Sequence, residues 1–180
     1  MKFIIASDIH GDFDCAKALI NVFENEKADK LIILGDVLYH GPRNDLPSGY
    51  NPKKVISLLN SYKDRIICVR GNCDAEVDQM VLDFPILDDF RYIMADGLRI
   101  FATHGHHYNI DTPPILSDGE ILIYGHTHIP MCKKAGKNIF MNPGSISIPK
   151  GGYKPSFMIY ENRKFAIKTF DGENLFDISI

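Results

Sequence analysis

The most constraining feature of this chain is a set of short apolar runs that each stop abruptly on a polar, glycine-bearing turn. Lys2–Ser7 (KFIIAS) ends on Asp-Ile-His-Gly, Lys30–Leu34 (KLIIL) on Gly35-Asp36, and Arg65–Val69 (RIICV) on Arg70-Gly71-Asn72. Runs of this length, rich in β-branched residues and bounded by turn signals, read as buried strands. Between the first two, Asp12–Lys27 places Phe13, Ala16, Leu19, Ile20 and Phe23 at spacings of three and four, the mark of an amphipathic helix. A second helix is expected from Pro52 to about Tyr62, with Val55, Ile56, Leu58 and Leu59 as its core face and Pro52 at its start. Strand, helix, strand, helix, strand argues for parallel β-α-β units. The stretch Tyr39–Pro52, broken by Gly and Pro, reads as a long surface loop.

From about Asp89 the pattern changes to strands alone: Phe90–Ala95, Leu98–Thr103, Ile121–Tyr124, Ile139–Asn142, Phe157–Tyr160 and Phe165–Phe170. Asp96-Gly97 and Glu161-Asn162-Arg163 are turn-like connections, so the strands beside them are expected to form hairpins. Two sheets packed face to face, with helices outside, would bury both halves. No linker, repeat or low-complexity segment divides the chain, so residues 1–180 are expected to form a single domain.

Composition serves mainly to exclude. A formal net charge of -3, with no clustered basic excess, is not the footprint of a protein that grips long nucleic acid. No basic run suggests a membrane surface, and no apolar run approaches a membrane span. Asp8 and His10 follow the first apolar run at once, so no signal-peptide core is expected. The four cysteines, Cys15, Cys68, Cys73 and Cys132, form no CxxC pair. Free thiols and a cytoplasmic location are the expectation.

Chemistry-bearing residues collect at the strand ends: Asp8-Ile9-His10, Gly35-Asp36, Gly71-Asn72-Cys73-Asp74, Thr103-His104-Gly105-His106 and Gly125-His126-Thr127-His128. Each has an ordinary reading. Asp8 and Asp36 suit helix or turn caps, and Asn72 suits a turn position with positive φ. A lone His104 is more often a hydrogen-bonded core residue than a ligand, and one HxH is only moderately specific. Together they say more. Four of the seven histidines fall at expected strand ends beside Gly, Asp or another His, and strand ends of open α/β sheets share a crevice. Imidazole and carboxylate together suit Mn²⁺, Fe or Zn²⁺ better than Ca²⁺. No cysteine belongs to the expected ligand set, which disfavours a structural thiolate zinc site.

The ordered blocks D-x-H, G-D, G-N, strand-end H and G-H-x-H resemble those of the calcineurin-like metallophosphoesterase superfamily. The GNCD form of the third block and the tetrapeptide Asn142-Pro143-Gly144-Ser145 are similar to its bacterial YfcE-type phosphodiesterases. The resemblance covers nearly the whole chain. It implies a four-layer α/β/β/α sandwich and two divalent ions, Mn²⁺ by preference, with Zn²⁺ or Fe as alternatives. One ion would be held by Asp8, His10, Asp36 and His128, the other by Asp36, Asn72, His104 and His126, with Asp36 between them. Asn72 and His104 are also the catalytic candidates.

The implied reaction is hydrolysis of a small phosphodiester by a hydroxide shared between the two ions. Asn72 adds no negative charge near an anionic substrate. Cys73 stands where many superfamily members carry a histidine that assists the leaving group. A thiol is a weak donor, so a deficit in acid catalysis is expected, against the plainer reading of Cys73 as a spacer. Arg43 is the candidate contact to a phosphate oxygen. His106 and His107 are placed equally well toward substrate or toward solvent, and Asn142–Ser145 reads as a strand-ending turn. Two other functions fit the fold: an interaction scaffold like the retromer subunit, and a nucleotide pyrophosphatase or nuclease. A small phosphodiester is the expected partner, with neither long nucleic acid nor membrane; a homo-oligomer stays open.

Overall fold

The computed structural model describes all residues, Met1–Ile180. Strands β1 (Lys2–Ala6), β2 (Lys30–Ile33) and β3 (Ile66–Cys68) alternate with helices α1 (Phe13–Asn25) and α2 (Pro52–Asn60). A single-turn helix α3 (Glu76–Gln79) follows, then β4 (Phe90–Ala95), β5 (Leu98–Thr103), β6 (Ile121–Ile123), β7 (Met131–Ala135) and β8 (Asn138–Asn142). The chain closes with β9 (Ser156–Glu161), β10 (Lys164–Thr169) and β11 (Asn174–Ser179). These build two mixed sheets, ordered β11-β10-β9-β1-β2-β3 and β4-β5-β6-β8-β7. β1, β2 and β3 pair in parallel, as their β-α-β sequence order demands.

Side chains alternate across each strand, and β1 shows what that does here. Ile4 and Ala6 face the helices, in a core shared with Leu19, Phe23 and Leu59. Phe3 and Ile5 face the opposite sheet, packing with Ile100, Ile121, Met158 and Tyr160. Both faces are covered, so the strand reads as an unbroken apolar run. Helix α1 is capped by Asp12, whose carboxylate accepts from the Cys15 N–H at 2.9 Å. Helix α2 is capped by Asn51 and begins on Pro52. The outer face of the second sheet has no helix over it. Phe101, Leu122, Tyr124 and Phe140 pack there under Tyr108, Ile110 and Leu116 of the connection from β5 to β6, so an irregular segment forms the outermost layer.

The two expected hairpins are present. At the β4–β5 turn Asp96 and Gly97 have φ of 49° and 77°, and at the β9–β10 turn Asn162 and Arg163 have φ of 49° and 64°. Positive φ at both central positions suits the right-handed twist of the flanking strands. Other expectations needed correction. β7 and β11 were not anticipated, because both are exposed edge strands with weak alternation; β7 carries Lys133 and Lys134 outward. The strands of the second half are divided between the two sheets. β6 pairs in parallel with β5 and β8, while β9 leaves that sheet and pairs antiparallel with β1.

Candidate metal centre

The parallel strands deliver the polar segments to one end of the sandwich. Asp8 and His10 follow β1, Asp36 follows β2 and Asn72 follows β3, while His104 follows β5 and His126 and His128 follow β6 of the other sheet. The backbone is held in an unusual conformation there: Asp8, His10, Asp36, His126 and His128 have φ of 59°, 49°, 55°, 64° and 59°. Left-handed backbone is costly for side chains other than Gly, and it persists only where the surroundings enforce it. At Gly125 there is no room for even a methyl group, which would run into Ser7 Oγ and stand 2.9 Å from Asp8 Oδ2.

The imidazoles are aimed by backbone carbonyls. His10 Nδ1 donates to Tyr39 O at 2.8 Å, His104 Nδ1 to Leu34 O at 2.6 Å, and His128 Nδ1 to Ile148 O at 2.5 Å. A carbonyl only accepts, so in each ring the proton lies on Nδ1 and Nε2 points inward. His10 Nε2 and His128 Nε2 lie 3.4 Å apart, and His104 Nε2 lies 3.0 Å from Asn72 Oδ1 and 3.3 Å from His126 Nδ1. Asp8 Oδ1 sits 3.3 Å from His128 Nε2 and 3.6 Å from His10 Nε2, and it is buried without a hydrogen-bond partner. Asp36 Oδ2 lies 3.7 Å from His10 Nε2 and 3.5 Å from His104 Nε2, between the two groups of imidazoles.

So many acceptors facing one another require positive charge between them. In the metal-free protein protons supply it. Burial works against charge on His104, but Asp36 and Asp8 outweigh it and raise its pKa to about 9. Burial would likewise raise the Asp8 carboxyl, yet the imidazoles of His10, His128 and His104 around it hold it well below the ordinary carboxylate range. His126 moves the other way: its burial and the neighbouring charge of His104 lower its pKa. Cations fit the same positions. Ligand atoms of Asp8, His10 and His128 lie within 4.8 Å of one another, as do those of Asp8, Asp36 and His104. A ring that donates its second N–H to a carbonyl is the usual setting of a metal-binding histidine.

The structure also shows what the sequence did not. Asp74 is buried, and its carboxylate accepts from Asp36 N at 2.8 Å, Val37 N at 2.9 Å and Gly71 N at 2.7 Å, clamping the loops after β2 and β3 together. Asn142–Ser145 is more than a turn. Asn142 Nδ2 donates to Gly125 O at 2.7 Å, and Ser145 Oγ to Asp8 O at 2.9 Å, so the tetrapeptide braces two of the polar segments. Neither role has a local sequence signal, because both depend on partners far along the chain. Cys73 comes nearer the candidate ligands than expected: its thiol lies within 4.8 Å of ligand atoms of His10 and Asp36. His106 is half-buried and His107 exposed, their rings 3.9 Å apart beside the cluster.

The cluster forms the floor of an open cavity of about 480 Å³, walled by Arg43, Asn44, Cys73, Thr127 and Lys150. The sequence profile of the calcineurin-like phosphoesterase superfamily domain matches residues 1–164. The chain belongs to that superfamily. Phosphodiesterase YfcE of Escherichia coli is 43% identical over 175 residues, 97% of this chain and 95% of that one. The solved structure of that E. coli phosphoesterase superposes with a TM-score of 0.98 at 42% identity, covering 100% of both chains. A phosphodiesterase of Methanocaldococcus jannaschii is 28% identical over 80% of this chain and 83% of its own. The fold expectation, an α/β sandwich of the metallophosphoesterase type, agrees with these likenesses. Membership implies a phosphoesterase that uses divalent metal ions. No helix is long and apolar enough to cross a membrane.

Proposed function

We propose that this chain is a phosphodiesterase that hydrolyses a small phosphodiester with two divalent ions, Mn²⁺ being the expected pair. The assigned ligands are Asp8, His10, Asp36, Asn72, His104, His126 and His128. One observation carries the assignment. His104 Nδ1 is committed to Leu34 O, which leaves Nε2 to face the Asn72 amide oxygen at 3.0 Å, a nitrogen and an oxygen donor side by side at the cluster. The diesterase activity named for the E. coli and M. jannaschii relatives supports the choice of substrate class.

When bound, the ions supply Lewis acidity and lower the pKa of a water molecule, which gives a nucleophile near neutral pH. The protein's part is placement. Asp8 is fixed at both ends: the His126 N–H donates to its Oδ2 at 3.0 Å, and the Ser145 and Ser147 hydroxyls grip its carbonyl. Asp36 is held by the Cys73 N–H, which donates to its Oδ1 at 2.8 Å and leaves Oδ2 to face His10 and His104. Asn72 Nδ2 points to the Cys73 thiol at 3.2 Å, which turns its amide oxygen inward. These anchors fix the donors before substrate arrives, so little reorganisation is left for the reaction itself. Cys73 is a poor proton donor, which suits esters whose alcohols leave readily.

The test is a hydrolysis screen of phosphomonoesters, diesters and cyclic nucleotides with Mn²⁺, beside metal analysis of the purified protein. Turnover of diesters that disappears in Asp36→Ala and His126→Ala is the expected result. Full activity in both variants would overturn the assignment.

A further inference from the structure

Arg43 and Lys150 stand on the cavity wall, and neither has a carboxylate within ion-pair distance; the chain's ion pairs are made by other lysines and arginines. They come from different sheets. Arg43 lies on the loop after β2, folded back by Asn44, whose side-chain N–H donates to His40 O at 2.8 Å. Lys150 follows β8, and its backbone N–H donates to His128 O at 3.0 Å, which ties it to the cluster. Both cations are therefore carried on loops anchored beside the reaction centre.

Charge counting shows that the basic reaction does not need them. Asp8 and Asp36 against two divalent ions leave two positive charges, and these are matched by one hydroxide and one diester monoanion. The wall gives a second constraint. Pro42 is the apolar residue on it, and no Phe or Tyr lines it. A lipid chain would find Pro42 as its one apolar side chain there, and a nucleobase no Phe, Tyr or Trp ring to stack on.

We propose that Arg43 and Lys150 form a subsite for a second anionic group on the substrate, so that the scissile diester joins a small polar alcohol bearing a carboxylate or phosphate. This inference rests on the phosphodiesterase reading above. Guanidinium and ammonium groups recognise both anions, and recognition by partly exposed cations weakens as salt is raised.

The test uses p-nitrophenyl phosphodiesters whose second arm is propanol, 3-hydroxypropionate or a phosphate-bearing ethanol, with Mn²⁺ present. Expected is a kcat/KM roughly tenfold higher for an anionic arm than for propanol, the scale of a charge-assisted hydrogen bond. The better of the two anionic arms identifies the group. In Arg43→Gln and Lys150→Gln that ratio falls toward one. Titration calorimetry of 3-phosphoglycerate against glycerol 3-phosphate reads the subsite without turnover, and wild type is expected to prefer the carboxylate-bearing ligand. If propyl and anionic esters are cleaved equally, or both variants keep the ratio, the subsite is refuted and the phosphodiesterase reading stands. If no diester is cleaved, that reading falls, and the calorimetric preference decides the subsite alone.

Discussion

The Nε2 atoms of His10 and His128 face each other across 3.4 Å, each ring pinned from behind by a backbone carbonyl. Two neutral imidazoles so held repel, because each directs a lone pair at the other. A proton or a metal ion between them turns that repulsion into attraction, and the consequences can be measured.

Metal should stabilise the fold. An ion that binds only the folded state contributes about 2.7 kcal/mol at a hundredfold excess over its Kd. For a chain of this size that is a rise in Tm of about 5–10 °C. Differential scanning calorimetry with Mn²⁺ and then with chelator should show the rise and its reversal. His128→Ala should lose most of it, and an unchanged Tm in wild type would contradict the metal assignment.

Metal binding should release protons. His104 is held at about 9, above its unfolded value, because Asp36 and Asp8 overcome the penalty of burial. A raised histidine pKa stabilises the metal-free fold fully below the unfolded pKa of about 6.5. That contribution is lost as pH climbs from there through about 9. Metal must displace the same proton, so its apparent affinity rises across the same window. Calorimetric titration of Mn²⁺ at neutral pH, in buffers of different ionisation enthalpy, should report proton release; a heat independent of buffer would rule it out.

Removing the Asp74 carboxylate should damage the fold and the site together. Asp74→Ala strands the three buried N–H groups of Asp36, Val37 and Gly71. The expected loss is about 3–5 kcal/mol in urea unfolding. Asp74→Asn keeps one acceptor oxygen and should cost less. Equal stabilities of the alanine variant and wild type would show that the clamp contributes nothing.

Replacing the thiol with an imidazole should change leaving-group dependence. Cys73→His places a better proton donor on the cavity wall, and general acid catalysis commonly contributes about a hundredfold or more. Room is limited: a methyl group on Gly41 would already stand 3.2 Å from Cys73 Sγ. The gain for an alkyl leaving group relative to p-nitrophenol should therefore be nearer roughly tenfold, an order below the full effect. A ratio that does not move removes the acid-deficit account.

How much of this was legible depended on whether the signal was local. β4 and β5 were read to the residue, because their apolar alternation and the Asp96-Gly97 turn lie within a single short stretch. β7 and β11 were missed, since an exposed edge strand is defined by the neighbour it pairs with rather than by its own pattern. The strand-end segments that carry Asp8, His10, Asp36, Asn72, His104, His126 and His128 were legible in the sequence, while the choice of these seven as ligands came from the resemblance to the superfamily. Lys150 was not legible, because nothing in Ile148-Pro149-Lys150-Gly151 marks a cavity wall.

The sequence by itself determined which chemical groups this protein has to work with and where each apolar strand stops, because side-chain type and periodicity are local properties. Only the tertiary structure decided which atom of each group faces the centre. His104 is turned by a carbonyl 70 residues away, at Leu34, and Asp8 is gripped by Ser145 at a separation of 137. An imidazole or carboxylate has two competent atoms, and the choice between them is made by whichever distant backbone group claims the other one.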